Sequence, residues 1–547
     1  MKKDLVTIIE DSVKRLGIDA VPAIELEVPP NDAFGDLSTP IAMLLSKILK
    51  KPPRKIAEEL VGAIEDRSAF EKIEIAGPGF INFTFSKEYL CVKLEKLLRD
   101  QRELLRVDVG KGRRIQIEFV SANPTGPLHL GHGRGGAIGE ALANLLQAAG
   151  FVVEREYYIN DAGKQVRLLG MSVFARYQQL LGIEYPFPPD GYKGAYIEVI
   201  AEKIVRTKGK EYVQKTFEEV SDFFIDYPYK EILADIGKDL RDFGVQFDTW
   251  QSERELFDGG EVQKTIEDLR ARGHIYEKDG AVWFRATTFG DDKDRVIIKQ
   301  DGEYTYFTSD IAYHRKKIEE KYDEIIDIWG ADHHGYIPRV QAVIEALDYP
   351  KEKLKVVLVQ MVSLLRGGKP VQMSKRAGEF VTLREVMEEV GADTTKFIFL
   401  TRRPDSHLEF DLETAKAQSA ENPVFYVQYA HARIRSIFAR AKEQGIDTEA
   451  LPRANLGMLS QQEELKIVKK LLIFPMMFEN AVNAREPHRI TFYLQELAGM
   501  FHPYYNRHRV IIEDMELTRA RLALCEAVRV VLKEGLAILG VSIPEKM

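Results

Sequence analysis

Cysteine is nearly absent from this chain. Only two of its 547 residues are cysteine, Cys91 and Cys525, at opposite ends of the sequence. That excludes a disulfide framework and any zinc spacing built on paired cysteines, so no structural metal is expected and a reducing, cytoplasmic setting is. A run of roughly eighteen apolar residues is also missing, so no membrane contact is expected. The opening "MKKDLVTIIEDSVKRLG" lacks the unbroken apolar stretch of a signal peptide. Its Leu5, Ile8, Ile9, Val13 and Leu16 recur at helical spacing and predict a packed amphipathic helix. Positive charge is not in excess either. With 77 Lys and Arg against 85 Asp and Glu, the formal net charge is -8, which excludes an indiscriminate nucleic-acid coat but allows local basic clusters.

What is present is length and alternation. A chain of this size holds about three or four domains. Residues 1–108 read as an N-terminal α+β unit, in which "LSTPIAMLLSKILKKPPRKIAEELVGAI" is helical on both sides of Pro52 and Pro53 and "KIEIAGPGFINFTFS" alternates as two strands about a turn at Gly77–Gly79. Residues 109–409 alternate strands with helices, starting from "RIQIEFV", and predict a doubly wound parallel α/β sheet of the Rossmann-like class. A helical, polar stretch at about 175–285 reads as an insertion into it. Residues 410–547 carry helical patterns only, a bundle whose helix at "ENPVFYVQYAHARIRSIFARAKEQG" has Asn422 as cap and Pro423 in the first position.

The segment "SANPTGPLHLGHGRGG" allows two interpretations. Gly131, Gly133 and Gly136 spell G-x-G-x-x-G, and Glu154 lies at about the distance of a ribose-binding acid, at the end of the next strand, as in a dinucleotide site. Against this, ten residues separate Val120 from Gly131, whereas a dinucleotide turn follows its strand directly. The other interpretation gives His129 and His132 the work. Imidazole N–H groups at a helix start, with glycine admitting a ligand to the backbone, stabilise charge on an attacked phosphate. A second feature decides between them. "LLRGGKPVQMSKRAGEFVTL" places Lys369, Lys375 and Arg376 on a glycine-rich loop after an apolar strand, suited to a triphosphate whose charge moves onto leaving pyrophosphate.

With both motifs in place the chain resembles a class I aminoacyl-tRNA synthetase, "HLGH" being its first signature and "MSK" a shortened second. "EFVSANPTGPLHLGHGRG", "EREYYINDAG", "TYFTSDIAYH", "GADHHGYIPR", "NPVFYVQYAHARI" and "FHPYYNRHRV" narrow the resemblance to the arginyl-tRNA synthetases, from about residue 30 to the end. The resemblance implies activation of L-arginine with ATP and transfer to tRNA(Arg), magnesium accompanying the ATP, and a monomer. It implies that His129, Gly131, His132, Gly133, Ser374 and Lys375 meet ATP, with His129, His132 and Lys375 catalytic. It further implies that Glu118, Asn123, His129, Tyr306 and Asp310 hold arginine, with Gln341 or His334 as a further ligand. Whether Lys369 assists Lys375 is left open, since Gln372 and Arg376 depart from the full signature.

The Asp310 assignment also has an independent physical basis. A guanidinium is planar and permanently charged, and a carboxylate answers it in a two-pronged way that lysine cannot reproduce. Read without the family, Asp310 is a helix-capping acid before "IAYHRKKIEE". For the RNA, Tyr426, Tyr429 and Arg433 are the candidate contacts in the bundle, aromatic faces for unpaired bases with a cation beside them.

Overall fold

The computed structural model describes every residue except 102–105, 321, 372–380, 450 and 545–547. The N-terminal region packs the helices Lys2–Arg15, Ile41–Leu49, Pro53–Ala63 and Lys87–Asp100 around an antiparallel sheet of β1 (Leu37–Thr39), β2 (Phe70–Ala76) and β3 (Phe80–Phe85), ordered β1-β3-β2. Leu5, Ile9 and Val13, one turn apart, are the buried stripe of the first helix. The Pro pair separates two helices as expected, because Pro53 supplies a first-turn residue that needs no N–H partner.

The centre is a five-stranded parallel sheet of β4 (Arg114–Glu118), β5 (Val152–Ile159), β6 (Thr249–Ser252), β10 (Glu324–Gly330) and β11 (Leu354–Val359). Its order is β11-β10-β4-β5-β6. The chain winds outward through β5 and β6, then returns to the other side of β4. The strand order therefore reverses between β4 and β10, the crevice where doubly wound sheets bind ligands.

The stretch expected as one insertion at about 175–285 is divided by this sheet. β6 lies in its middle as an edge strand, paired through Glu156↔Thr249 to Ile159↔Ser252. Before it, the helices Lys164–Leu180, Ala195–Lys208 and Ser221–Asp242 make the crossover from β5. After it comes a small antiparallel sheet of β7 (Ile275–Lys278), β8 (Ala281–Phe284) and β9 (Arg295–Ile298) with its own apolar cluster around Phe284, Ile297 and Phe307.

β12 (Val362–Arg366), β13 (Lys369–Pro370) and β14 (Leu408–Asp411) form a third small sheet beside the crevice. The helices Pro423–Glu443, Gln462–Ala484, His488–Arg507 and Met515–Ile538 then build the C-terminal bundle, Asn422 Oδ1 capping the first by accepting from the Phe425 N–H. One apolar core runs from Leu5 through Leu142 and Phe399 to Val541, across the expected borders near 108 and 409. The bundle is also tied to the central domain by polar contacts. Buried Lys396, on the helix Ala392–Phe399, donates to the Gly540 carbonyl at 2.6 Å, and Gln428 to the Ser542 carbonyl at 2.9 Å. Among the described residues no helix is long and apolar enough to cross a membrane.

Candidate active site

The crevice begins where β4 ends. Val120 and Ser121 have φ of 68° and 40°, in the left-handed region where a β-branched residue is an outlier. This kink turns the chain out of the sheet. It is held from both sides: Tyr157 donates to the Ala122 carbonyl at 2.8 Å, and Ser121 Oγ accepts from the Tyr158 N–H at 3.1 Å while donating to Glu118 Oε1 at 2.9 Å. The residues between the strand and the helix Leu130–Ala148 thus form a platform, which a dinucleotide turn does not have. Glu154 is also misplaced for that chemistry. It stands near the start of β5, bonded to Thr249 and Tyr322, away from the C-terminal edge.

His129 and His132 sit together at the head of this helix. His129 Nδ1 accepts from the Gly131 and His132 N–H groups at 3.0 and 3.4 Å, and His132 Nδ1 from the His129 N–H at 3.4 Å. Each ring uses Nδ1 as an acceptor, so a neutral ring carries its proton on Nε2. The rings stack with centroids 3.6 Å apart. Gly131 is required here, because a Cβ would come within 2.9 Å of the His129 ring. Gly133, expected at the nucleotide, is buried, and a Cβ there would strike Leu383 at 2.6 Å, so its small size permits close helix packing.

A cavity of about 1020 Å³ opens over the pair, with Asn123, Gly131, Lys193 and Tyr196 in its walls beside the two histidines. Tyr196 donates to the Thr125 carbonyl at 2.7 Å, which pins the crossover helices against the platform. Lys193 is thus a cation in the same cavity as the imidazoles, in the ordinary-looking run "DGYKGAY" that carries no motif. Lys369, on β13, is exposed and does not line the cavity. Ser374 and Lys375 fall outside the described residues.

The other end of the crevice is built on the helix Tyr306–Glu319. Asp310 is its fifth residue, so it is no capping acid, and with Tyr306 it occupies i and i+4 on one face. Tyr306 is exposed, its ring close to Gly163. The Asp310 carboxyl accepts from the Tyr336 hydroxyl and is raised above the usual carboxylate range, by desolvation first and by the nearby Glu118 as well. The second carboxyl here was not anticipated. Glu253, at the start of the helix Glu253–Asp258, is buried; its Oε1 accepts from Ser309 Oγ at 2.6 Å, and its Oε2 has no hydrogen-bond partner. Burial, then Asp310 and Asp161, push it up to about 7. The Tyr158 hydroxyl, also without a hydrogen bond, lies within electrostatic reach of Glu253, Asp310 and Glu118. In sequence Glu253 reads as an ordinary acid in the first turn of a helix capped by Ser252.

Glu118 joins the two ends, since it repels Asp310 and is bonded to Ser121 on the platform. Of the two further candidates, His334 is exposed on the turn Ala331–Tyr336 and Gln341 half-buried on the helix Ile337–Ala346. In the bundle, Arg433 lies 4.4 Å over the ring of Tyr429 and 5.0 Å over that of Tyr505. Tyr426 packs on His502 at 4.4 Å, and all three predicted residues are half-buried.

A reversed parallel sheet with stacked histidines over its switch point is one form of the class I synthetase scaffold, and the comparisons agree. The family of class I tRNA synthetases (R), catalytic domain, matches residues 93–439, so the protein is a class I aminoacyl-tRNA synthetase. The arginyl tRNA synthetase N terminal domain matches residues 3–85 and the DALR anticodon binding domain residues 427–547. An arginine–tRNA ligase of Syntrophotalea carbinolica is 50% identical over 535 residues, covering 98% of this chain and 97% of the relative. The chain belongs to the arginyl-tRNA synthetase family. A crystal structure from Campylobacter jejuni, described as an arginyl-tRNA synthetase, has a TM-score of 0.78 and 35% identity, covering 85% of this chain and all of the other. The Thermus thermophilus arginyl-tRNA synthetase shares the fold along 100% of both chains, with a TM-score of 0.77 at 23% identity.

Proposed function

We propose that the crevice activates L-arginine with ATP to arginyl-adenylate and pyrophosphate, then passes the arginyl group to tRNA(Arg). The observation that carries this reading is the pair of acids Asp310 and Glu253, close together with the unbonded Tyr158 hydroxyl. Acids crowded this closely are costly to ionise, and the nearby His314 and Arg339 offset Asp310 only in part; a guanidinium offers five N–H donors in a planar fork to satisfy them. Tyr306 covers the cation, and Glu118 and Asn123 take the α-amino and carboxylate groups on the way to the histidines. A neutral isostere would leave two acids unpaired, so selection operates through binding.

At the phosphate end, His129 and His132 direct Nε2–H groups at charge developing on the attacked α-phosphate, with Gly131 admitting the nucleotide. Lys193 from the crossover and Ser374 and Lys375 from the signature loop take the departing pyrophosphate. The arginine carboxylate attacks the α-phosphorus, the bond to the β-phosphate oxygen breaks, and both electrons leave with pyrophosphate. Imidazole, amide and ammonium groups line this cavity with a single carboxylate, Asp190, a set that suits phosphate oxygens better than a bare divalent ion. Magnesium would therefore be held by the triphosphate, neutralising its charge. Tyr426, Tyr429 and Arg433 form an RNA-facing patch of the bundle, where stacked rings and a cation suit an unpaired base. Cys91 and Cys525, both free thiols, fit work in a reducing cytoplasm, where the enzyme acts as a monomer. ATP–pyrophosphate exchange with each amino acid, with and without tRNA, tests the whole reading; exchange driven by lysine or citrulline as well as by arginine would refute it.

A further inference from the structure

Beneath the arginine end lies a second charge assembly, of which the proposed reaction uses only Glu118. Lys317, 1% exposed on the helix Tyr306–Glu319, donates to Asp327 Oδ1 at 2.6 Å and to Glu118 Oε2 at 2.9 Å. Asp327, on β10 and fully buried, meets His314 Nε2 with its other oxygen at 3.1 Å. The Tyr313 hydroxyl touches Glu118 Oε2 at 2.9 Å and Glu156 Oε1 as well. The second oxygen of Glu156 accepts from Gln116 Nε2 at 2.8 Å.

A proton inventory fixes the direction of these bonds. A tyrosine hydroxyl has one hydrogen, so two carboxylates cannot both accept from it. One acid must be protonated and donate to the tyrosine oxygen. Burial raises Glu156 to about 7, with Glu118 and Asp327 adding to the effect, so Glu156 is the acid that takes up the proton more readily. In that form it donates to Tyr313, and Tyr313 donates to Glu118. Glu118 then receives three hydrogen bonds, from Ser121, Tyr313 and Lys317, and only Lys317 brings a positive charge. Without that charge, Glu118 would face Glu156, Asp327 and Asp310 with the group's positive charge left to His314, beside Asp327, and Arg339, near Asp310.

We propose that Lys317 is a positioning residue for arginine selection: through its bond to Glu118 it aims that carboxylate at the substrate α-ammonium, without itself touching the substrate. The inference rests on the proposed role of Glu118 and adds the reason the carboxylate stays aligned among other acids. A purely structural ion pair would affect stability and nothing else.

The probe is the preference of the full-length enzyme for arginine over 5-guanidinopentanoate, which lacks the α-amino group, measured as two dissociation constants by calorimetry. In Lys317→Met this preference should fall about tenfold, the scale of one charge-assisted bond, while ATP affinity stays within about threefold. Removing one partner of a buried pair also destabilises the fold, so Lys317→Met/Asp327→Asn serves as the second variant. It should regain thermal stability and still lack the preference; recovery of both together would reduce Lys317 to a structural role and overturn the proposal. Glu118→Gln separates the two claims. If it loses the preference while Lys317→Met keeps it, the Glu118 role stands and the Lys317 role falls. If Glu118→Gln keeps the preference, both fall.

Discussion

The two ends of the crevice are built in opposite ways. The arginine end is made of residues locked into the sheet and its covering helix: Glu253 buried, Asp310 engaged by Tyr336, Glu118 held by three donors. The phosphate end is an open cavity of about 1020 Å³ whose described cation, Lys193, comes from a peripheral segment, the crossover. The contrast follows from the chemistry of the ligands. Arginine must be distinguished from other amino acids, which rewards a rigid, pre-charged socket. The triphosphate must change shape and leave, which rewards groups that can move with it.

The contrast can be broken most directly at the phosphate end. His132→Ala or Lys375→Ala should slow adenylate formation about 10²–10³-fold, the usual effect of removing a transition-state donor, while arginine affinity stays intact. Equal losses in both quantities would erase the division. Next in size, Asp310→Asn should weaken arginine binding by about 2–5 kcal/mol, as for one member of a buried charge pair, and leave ATP binding nearly unchanged in calorimetry. Glu253→Gln should cost less, about 1–3 kcal/mol of arginine affinity, because a neutral amide oxygen still accepts one N–H.

The smallest effects concern protons. Glu253 sits at about 7 in the free enzyme, and a bound guanidinium favours its ionised form, so arginine binding near pH 7 should release protons and strengthen from pH 6 to 8. Calorimetry in buffers of different ionisation enthalpy checks this, and Glu253→Gln should abolish it. Stability should move the other way. Glu156 and Glu253 are both raised above the ordinary glutamate value of 4.5, so their contribution is complete below that pH and is lost as pH rises through about 7. Urea unfolding of Glu156→Gln should show a flatter pH dependence over that window than the parent protein.

The legible parts of this protein are those encoded over short spans. The histidine pair and its glycine announce themselves within a few residues, and the β–α–β alternation locates the sheet, whereas Asp310 stands out only through the resemblance and reads alone as a helix-capping acid. β6 was illegible because "TWQS" is four residues of mixed polarity, and its pairing with β5 alone makes it a strand. Glu253 and Lys317 were hidden for a related reason. Each looks like a solvated helix charge, and its meaning comes from partners 56 and 199 positions away. The packing of Gly133 against Leu383 was hidden as well, because spacing does not show what lies 250 positions away.

The amine of Lys396 and its acceptor at Gly540 lie 144 positions apart in the order of synthesis. While the polypeptide is being made, the helix beneath the histidines therefore waits with an unanswered ammonium until the end of the helical bundle has emerged and folded back. Competence to charge RNA should accordingly arrive late and all at once, rather than growing with the nascent chain.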